Sequence, residues 1–304
     1  MTGSEFAHKS DQEKKDICLK FNAFSRILPE QKFEIIKFLQ NDYEVGYMGD
    51  GINDAPALKI ADVSIAVQDA VDSAREAADV ILLQKSLYVI IDGIAEGRKI
   101  FANTFKYVKT TVASNFGNFY ALSIITLLID FLPMLPLHLL MVNLLSDFPM
   151  IAISTDAVDE AFIKKPTHYQ AGDILIPATI LGVVSSVFDL IYFALFKNNP
   201  PTLVQTGWFT LSILTEIVFI YSIRTERFFL RAPRPSMPLM LLSCIACVIA
   251  IVLPFIPEAQ KIFTFMPMQP TQLLKLCGLV AIYFVITETV KCAYYHQRNN
   301  HRRN

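Results

Sequence analysis

Downstream of Lys109 the chain carries six apolar runs, near Thr110–Leu132, Leu135–Ser154, Ile174–Phe196, Gly207–Ile223, Pro238–Pro257 and Leu273–Tyr294. A hydrocarbon core about 30 Å thick takes about 20 apolar residues per crossing helix, and each run meets or approaches that length. Proline-bearing breaks at Pro133 and Pro136, Pro200 and Pro201, and Pro267 and Pro270 separate several of them. A buried soluble core seldom repeats helices of this length six times, so the runs predict membrane spans. Charge follows the same division: residues 1–109 hold 14 Lys/Arg and 17 Asp/Glu, residues 110–304 only 13 and 11. Disorder, a coiled coil and an ordinary soluble domain are excluded by a composition that is 53% hydrophobic. A net charge of −1 offers no basic field for nucleic acid. Five scattered cysteines make no disulfide framework, and Cys244 and Cys247, a CxxC inside an apolar span, read as small packing residues. Met1 is followed by polar residues, which reads as no cleavable signal peptide.

Basic residues give an orientation. Lys164 and Lys165 lie between spans two and three, Arg224, Arg227, Arg231 and Arg234 between four and five, and Lys291, Arg298, Arg302 and Arg303 at or beyond the end of span six. The opposite connections hold only Lys197 and Lys261, with Lys275 at the rim of span six. The basic side is also the side of residues 1–109, so that segment and both termini are expected to be cytoplasmic.

Polar residues inside the spans are costly in hydrocarbon and point to function. Asn143, Ser146 and Asp147 stand at i, i+3 and i+4, which predicts their oxygens on one helix face. Pro149 would free the Leu145 carbonyl, and together these groups suit a hard cation. The first span offers Ser114, Asn115 and Asn118, with Gly117 allowing a close helix approach. Asp189, Glu216 and Glu288 add lone carboxylates. Glu216 reads as either a cation ligand or interhelical hydrogen-bond glue, Asp189 and Glu288 as structural.

Residues 1–109 alternate between helix-like and strand-like runs. Asp11–Phe21, Pro29–Leu39, Asn53–Ile60 and Ala74–Ala78 read as helix; Ala23–Ile27, Glu44–Met48, Val63–Val67 and Val80–Leu83 read as strand. That order predicts a parallel α/β sheet with crossover helices. From Leu87 a helical pattern runs without a break into the first span, predicting a stalk that couples sheet to membrane. The sharpest local signal is Met48-Gly49-Asp50-Gly51-Ile52-Asn53-Asp54-Ala55-Pro56. Asp50 falls at the carboxyl end of a strand, where open α/β sheets place their chemistry. Asp50 and Asp54, with the Asn53 amide, suit a Mg²⁺ ion that bridges to phosphate.

This string resembles the hinge motif of P-type cation-transporting ATPases, members of the haloacid-dehalogenase-like hydrolases. Gly3-Ser4-Glu5, Arg26-Ile-Leu-Pro29-Glu-Gln-Lys32, Ala61-Asp62-Val-Ser-Ile-Ala-Val, Ala74-Arg-Glu-Ala-Ala-Asp79-Val-Ile-Leu-Leu and Gly97-Arg98-Lys-Ile-Phe-Ala-Asn103 fit as well. The six spans look like that family's last six. Ser114-Asn115-Phe116-Gly117-Asn118, Phe131-Leu-Pro-Met-Leu-Pro136-Leu-His138, Asn143-Leu-Leu-Ser-Asp147, Lys165-Pro166 and Ser185-Ser-Val-Phe188-Asp189 are most similar to the bacterial magnesium-transporting branch. Calcium pumps carry a carboxylate where Asn118 stands, although Glu216 matches a span-four Glu of theirs, so Ca²⁺ or another cation is the alternative cargo.

The resemblance implies a partial haloacid-dehalogenase-like, Rossmann-like phosphorylation domain over residues 1–86, a stalk over 87–109, a transmembrane domain over 110–296 and a basic tail over 297–304. It implies ATP as substrate and an aspartyl-phosphate intermediate, with Asp50 on the catalytic Mg²⁺, Gly51, Asn53 and Asp54 ordering the phosphate site, and Lys32 offsetting phosphoryl charge. Asn115, Asn118, Asn143, Ser146, Asp147 and Glu216 would hold the transported cation. No Asp-Lys-Thr-Gly and no Thr-Gly-Glu string occurs, so the acceptor aspartate, the actuator and nucleotide-binding domains and the first four helices are expected as a missing N-terminal partner. A start at Thr2-Gly3-Ser4, in mid-domain, favours a fragment. The alternatives are half of a split pump and a short non-catalytic protein that binds another pump.

Overall fold

The computed structural model describes residues 1–84, 86–164 and 170–301. Lys165, Pro166, Arg302 and Arg303, used above for orientation or resemblance, lie outside the described residues. The chain divides into two units, Met1–Ile94 and Ala95–Asn304.

The first unit opens with two short capped helices. Thr2 and Glu5 form a reciprocal capping box at α1 (Gly3–Ala7), and Ser10 and Glu13 do the same at α2 (Asp11–Lys20). Each pair satisfies two amides that the first turn leaves without partners. Proline begins α3 (Pro29–Leu39), where its missing N–H costs nothing. Strand β1 (Gly46–Gly49), α4 (Ala55–Ile60), β2 (Val63–Val67), α5 (Asp72–Ala77) and β3 (Val80–Leu82) follow in order. The three strands are parallel in the order β1-β2-β3, with Gly46 opposite Val63 and Ile65 opposite Val80. Leu58 of α4 and Ala74 of α5 pack with Ala66 and Ala70 as a small core. Met48, Val63 and Val80 stay more than 40% exposed, so this core covers the sheet only in part.

The expected strand Ala23–Ile27 is reduced to one parallel bridge between Ser25 and Thr2. Arg26 takes a left-handed φ of 53°, which ends the extended path after a single pair. The helix Gly3–Ala7 is not among those expected, and the other expected elements of this unit form where the residue pattern puts them, to within a few residues.

Helix α6 (Tyr88–Thr126) starts in the first unit and continues into the second as one unbroken element. The second unit holds α7 (Pro136–Ala152), α8 (Glu160–Lys164), α9 (Ala171–Phe196), α10 (Pro201–Ile223), α11 (Met237–Val252), α12 (Pro257–Phe263) and α13 (Pro270–His301). Five helices are long and apolar enough to cross a membrane by length and composition: Pro136–Thr155, Ala171–Phe196, Pro201–Ile223, Met237–Phe255 and Pro270–Arg298. The first expected span is helical but is not among them, and it stops at Thr126 rather than Leu132. Thr110, Thr111, Ser114, Asn115 and Asn118 dilute its hydrophobicity, which is the composition of a helix that faces protein or polar cargo rather than lipid.

Helix α10 is the axis of this unit. Its most apolar window is 94% buried, against 28–44% for the other four, and it packs on α7, α9, α11 and α13. Gly207 makes one of these contacts possible: a Cβ there would overlap the Tyr192 hydroxyl, which donates to the Val204 carbonyl oxygen at 2.8 Å. Gly117 of α6 meets α9 in the same way, since an added Cβ would lie 3.0 Å from Ser185 Cβ. The Ser186 hydroxyl donates to the Gly117 carbonyl across this crossing at 3.0 Å, so small residues let the two backbones approach.

Two buried ion-paired clusters tie helix ends together. Asp156 accepts Arg224 Nε at 2.9 Å and Nη2 at 2.8 Å, and Lys106 Nζ at 3.1 Å. Glu288 accepts Lys291 Nζ at 2.7 Å, Ser222 Oγ at 2.6 Å and the Phe229 N–H at 2.7 Å.

Candidate functional site

The first candidate site lies at the carboxyl end of β1. There the chain turns through Gly49, Asp50 and Gly51 into a single 3₁₀ turn, Ile52–Asp54, and then into α4. Asp54 folds back under this turn. Its Oδ1 accepts Lys32 Nζ and the Tyr47 hydroxyl, each at 2.6 Å, and its Oδ2 accepts the Gly51 N–H at 3.2 Å and the Asp50 N–H at 3.4 Å. Gly49 leaves the room for this, because a Cβ there would sit 2.5 Å from Asp54 Cβ. Burial works against the charge of Asp54, but the bonds from Lys32, Tyr47 and Gly51, with the Lys32 charge, outweigh it and hold the carboxyl below its ordinary pKa. Burial, then the bond to Asp54 and the charges of Asp54 and Asp50, push the Tyr47 phenol up.

Asp50 and Asn53 are exposed at the head of the same turn. The Asp50 backbone is fixed by the Val71 N–H, 3.0 Å from its carbonyl oxygen. Lys32, Asp50, Gly51, Asn53 and Asp54 therefore meet at one strand end. The two carboxylates differ in situation: Asp50 faces outward, whereas Asp54 is taken up by the turn itself. Tyr47 escaped the sequence reading. Its signal was the two-residue strand period, which puts it on the same side as Gly49 and hence beside Asp54.

The second candidate site lies inside the second unit. Glu216 of α10 is buried, and its Oε1 accepts Ser114 Oγ at 2.8 Å and Asn118 Nδ2 at 2.7 Å, both from α6. Its Oε2 is buried with no protein hydrogen-bond partner. From α7 the Ser146 hydroxyl stands close to this carboxylate and the Asp147 charge lies within reach of it. A small cavity of about 10 Å³, on the scale of one water, adjoins Glu216 and is also lined by Ser185 of α9 and Tyr283 of α13. A wider cavity of about 460 Å³ is lined by Asn115, Asn118 and Asn143 with Phe116, Phe119 and Trp208.

The expected single face of Asn143, Ser146 and Asp147 is split. Asn143 and Asp147 are exposed, while Ser146 is buried and its hydroxyl donates to the Val142 carbonyl oxygen at 3.0 Å. At 100° per residue the three positions cover about 100° of arc, and the edge of the packed core falls between Ser146 and the other two. Asn115 is exposed as well. Asp189 accepts the Trp208 indole N–H at 2.8 Å, an interhelical contact like those that Glu288 makes. Among the described residues no three His, Cys, Asp or Glu side chains gather as a metal-binding group. Amides and hydroxyls surround the Glu216 carboxylate instead.

A small parallel α/β sheet with an acidic turn at its strand end is followed in the chain by membrane-length helices around a buried carboxylate. The family described as "Cation transporting ATPase, C-terminus" matches residues 131–293, and "haloacid dehalogenase-like hydrolase" matches residues 32–95. The chain belongs to the P-type cation-transporting ATPases and matches their C-terminal region. It is 41% identical over 97% of its length to "Magnesium-transporting ATPase, P-type 1" of Escherichia coli (strain K12), and 40% identical over 97% to the protein of the same name in Salmonella typhimurium (strain LT2). "Calcium-transporting ATPase" of Bacillus subtilis (strain 168) is 28% identical over 93% of the chain. The chain spans about a third of the length of these curated relatives.

Proposed function

We propose that these residues form the C-terminal part of an ATP-driven pump for Mg²⁺, working in a bacterial plasma membrane with residues 1–109 and the C-terminus in the cytoplasm. The observation that carries the reading is the buried Glu216 carboxylate, held by Ser114 and Asn118 beside Ser146 and Asp147. One or two carboxylates among amides and hydroxyls suit a hard cation, and the Escherichia coli and Salmonella typhimurium relatives are named for magnesium. Asn115, Asn143 and Asp147 face outward beside this cluster, and in the assembled pump they would complete the cation's surroundings from the side where further helices pack. Ca²⁺ is the second reading, favoured by the Glu216 carboxylate and the Bacillus subtilis relative.

In the first unit, the exposed Asp50 carboxylate at the strand end is the group placed to hold a catalytic Mg²⁺ with ATP, and Asn53 stands beside it. The resident ion would neutralise phosphate charge when bound. Asp54 holds Lys32 and braces the Gly49–Gly51 turn, so its role is to position the lysine ammonium and the turn amides for a phosphoryl group. The actuator and nucleotide-binding parts, the acceptor aspartate and the first four helices would come from residues outside these 304. Two expectations test the reading. The 304-residue polypeptide takes up no phosphate from [γ-³²P]ATP in an acid-stable assay. In the whole pump, Glu216→Gln and Asp147→Asn each remove or strongly weaken Mg²⁺ stimulation of ATP hydrolysis; unchanged Mg²⁺ dependence in both variants would refute the assignment.

A further inference from the structure

Resting on that reading, one feature of the Glu216 site is left unused by it. Oε1 is engaged by Ser114 and Asn118 of α6, whereas Oε2 is buried with no hydrogen-bond partner; Ser146 of α7 stands close to the carboxylate, but its hydroxyl donates to the Val142 and Asn143 carbonyl oxygens. A buried carboxylate oxygen without a donor costs free energy, and helices α6 and α10 offer it none. The cavity against Glu216 is the place to look. Its lining adds two hydroxyl groups from helices not otherwise part of the cation cluster, Ser185 of α9 and Tyr283 of α13.

Both are held in place by packing. Tyr283 is 2% exposed and its ring stands edge-on to Phe188 of α9, with centroids 5.3 Å apart. Ser185 sits at the α6–α9 crossing, where Gly117 brings the backbones together. Phe219, Leu181 and Ala113 add apolar wall, and Ser114 and Asn118 are spent on Oε1, so the Ser185 and Tyr283 hydroxyls, which lie beside one another, are the further donors that line this cavity. The cavity admits about one water, enough to bridge a hydroxyl to the carboxylate.

We infer that Ser185 and Tyr283 are positioning residues for the Glu216 carboxylate, donating to Oε2 directly or through one bridging water, and that they thereby tune which divalent cation the site prefers. Fixing both oxygens sets the carboxylate plane, and a fixed plane discriminates between a small octahedral ion and a larger, more tolerant one. The last helix of the bundle thus acts on the cation site without touching the cation.

The test is the whole pump with Tyr283→Phe, Ser185→Ala, both changes together, and Glu216→Gln as the reference. A lost hydrogen bond to a charged group is worth about tenfold or more in affinity. Tyr283→Phe should raise the Mg²⁺ concentration for half-maximal ATPase about tenfold with the maximal rate kept, and should lower the preference for Mg²⁺ over Ca²⁺. Ser185→Ala should act in the same direction, and the double variant should exceed the larger single by less than the product of the two. Ser185→Thr, which keeps the hydroxyl, should restore the Mg²⁺ dependence. An unchanged half-saturation and ion preference in Tyr283→Phe and Ser185→Ala, while Glu216→Gln shifts both, would overturn this inference alone. No effect of Glu216→Gln would overturn the cation-site reading beneath it. A fall in maximal rate with unchanged half-saturation would also count against positioning.

Discussion

Asp54 shows how one carboxylate can serve a site by being hidden. Its depressed pKa means that the stability it contributes is fully present above the unfolded value, near 4, and is lost as pH falls through the lower folded value. The first unit should therefore loosen in acid starting at this turn, seen as faster amide exchange at Gly51 than at β2. Asp54→Asn should flatten that acid dependence and cost about 1–3 kcal/mol at neutral pH, because Lys32 and Tyr47 lose their ionic acceptor. Gly49→Ala should cost about 1–3 kcal/mol by overpacking against Asp54 Cβ, measured by the same exchange. At this scale the sequence was legible where a motif exists. Asp50, Asn53, Asp54 and Lys32 were all singled out from their strings, and the structure brings them to one strand end. It was not legible for Tyr283, whose neighbours come from other elements, so that no local pattern marks it, and Ser185 stands in a family-like string that gives it no role of its own.

Elements were easier to read than their surroundings. Hydrophobic period and proline position located the helices because those signals are local. The Ala23–Ile27 strand failed because a single left-handed residue, Arg26, decides the path. The Asn143, Ser146 and Asp147 face split because burial depends on which neighbours pack, and helical spacing alone carries no record of them. Gly207→Ala should disturb the α9–α10 contact at Tyr192 and lower the melting temperature of the detergent-purified protein, at a cost of about 1–3 kcal/mol. The Asp156 cluster should be more costly to break. Asp156→Ala leaves Arg224 and Lys106 without their carboxylate and should destabilise by about 3–5 kcal/mol. Replacing Asp156, Arg224 and Lys106 together by Leu or Met should recover much of that loss; a triple variant as unstable as Asp156→Ala would show that the cluster's value is not the pairing.

For the whole molecule, the proposed orientation puts a tag after His301 and a tag on the first unit on the same side of the membrane, and residues 197–199 on the other. Impermeant cysteine labelling in intact cells and in inverted vesicles checks this: labelling of Asn198→Cys from the cytoplasmic side would reverse it. The basic residues behind that orientation do not stay where the reading first finds them. Arg224 ends buried against Asp156, and Lys291 against Glu288. A charge steers a nascent helix only while it can still feel the membrane surface. Once these two are drawn into their pairs, the charges that would set the proposed topology also lock it. Turning the bundle over would first require pulling a guanidinium and an ammonium from their carboxylates. On the proposed orientation, insertion would be decided early and then held by these pairs.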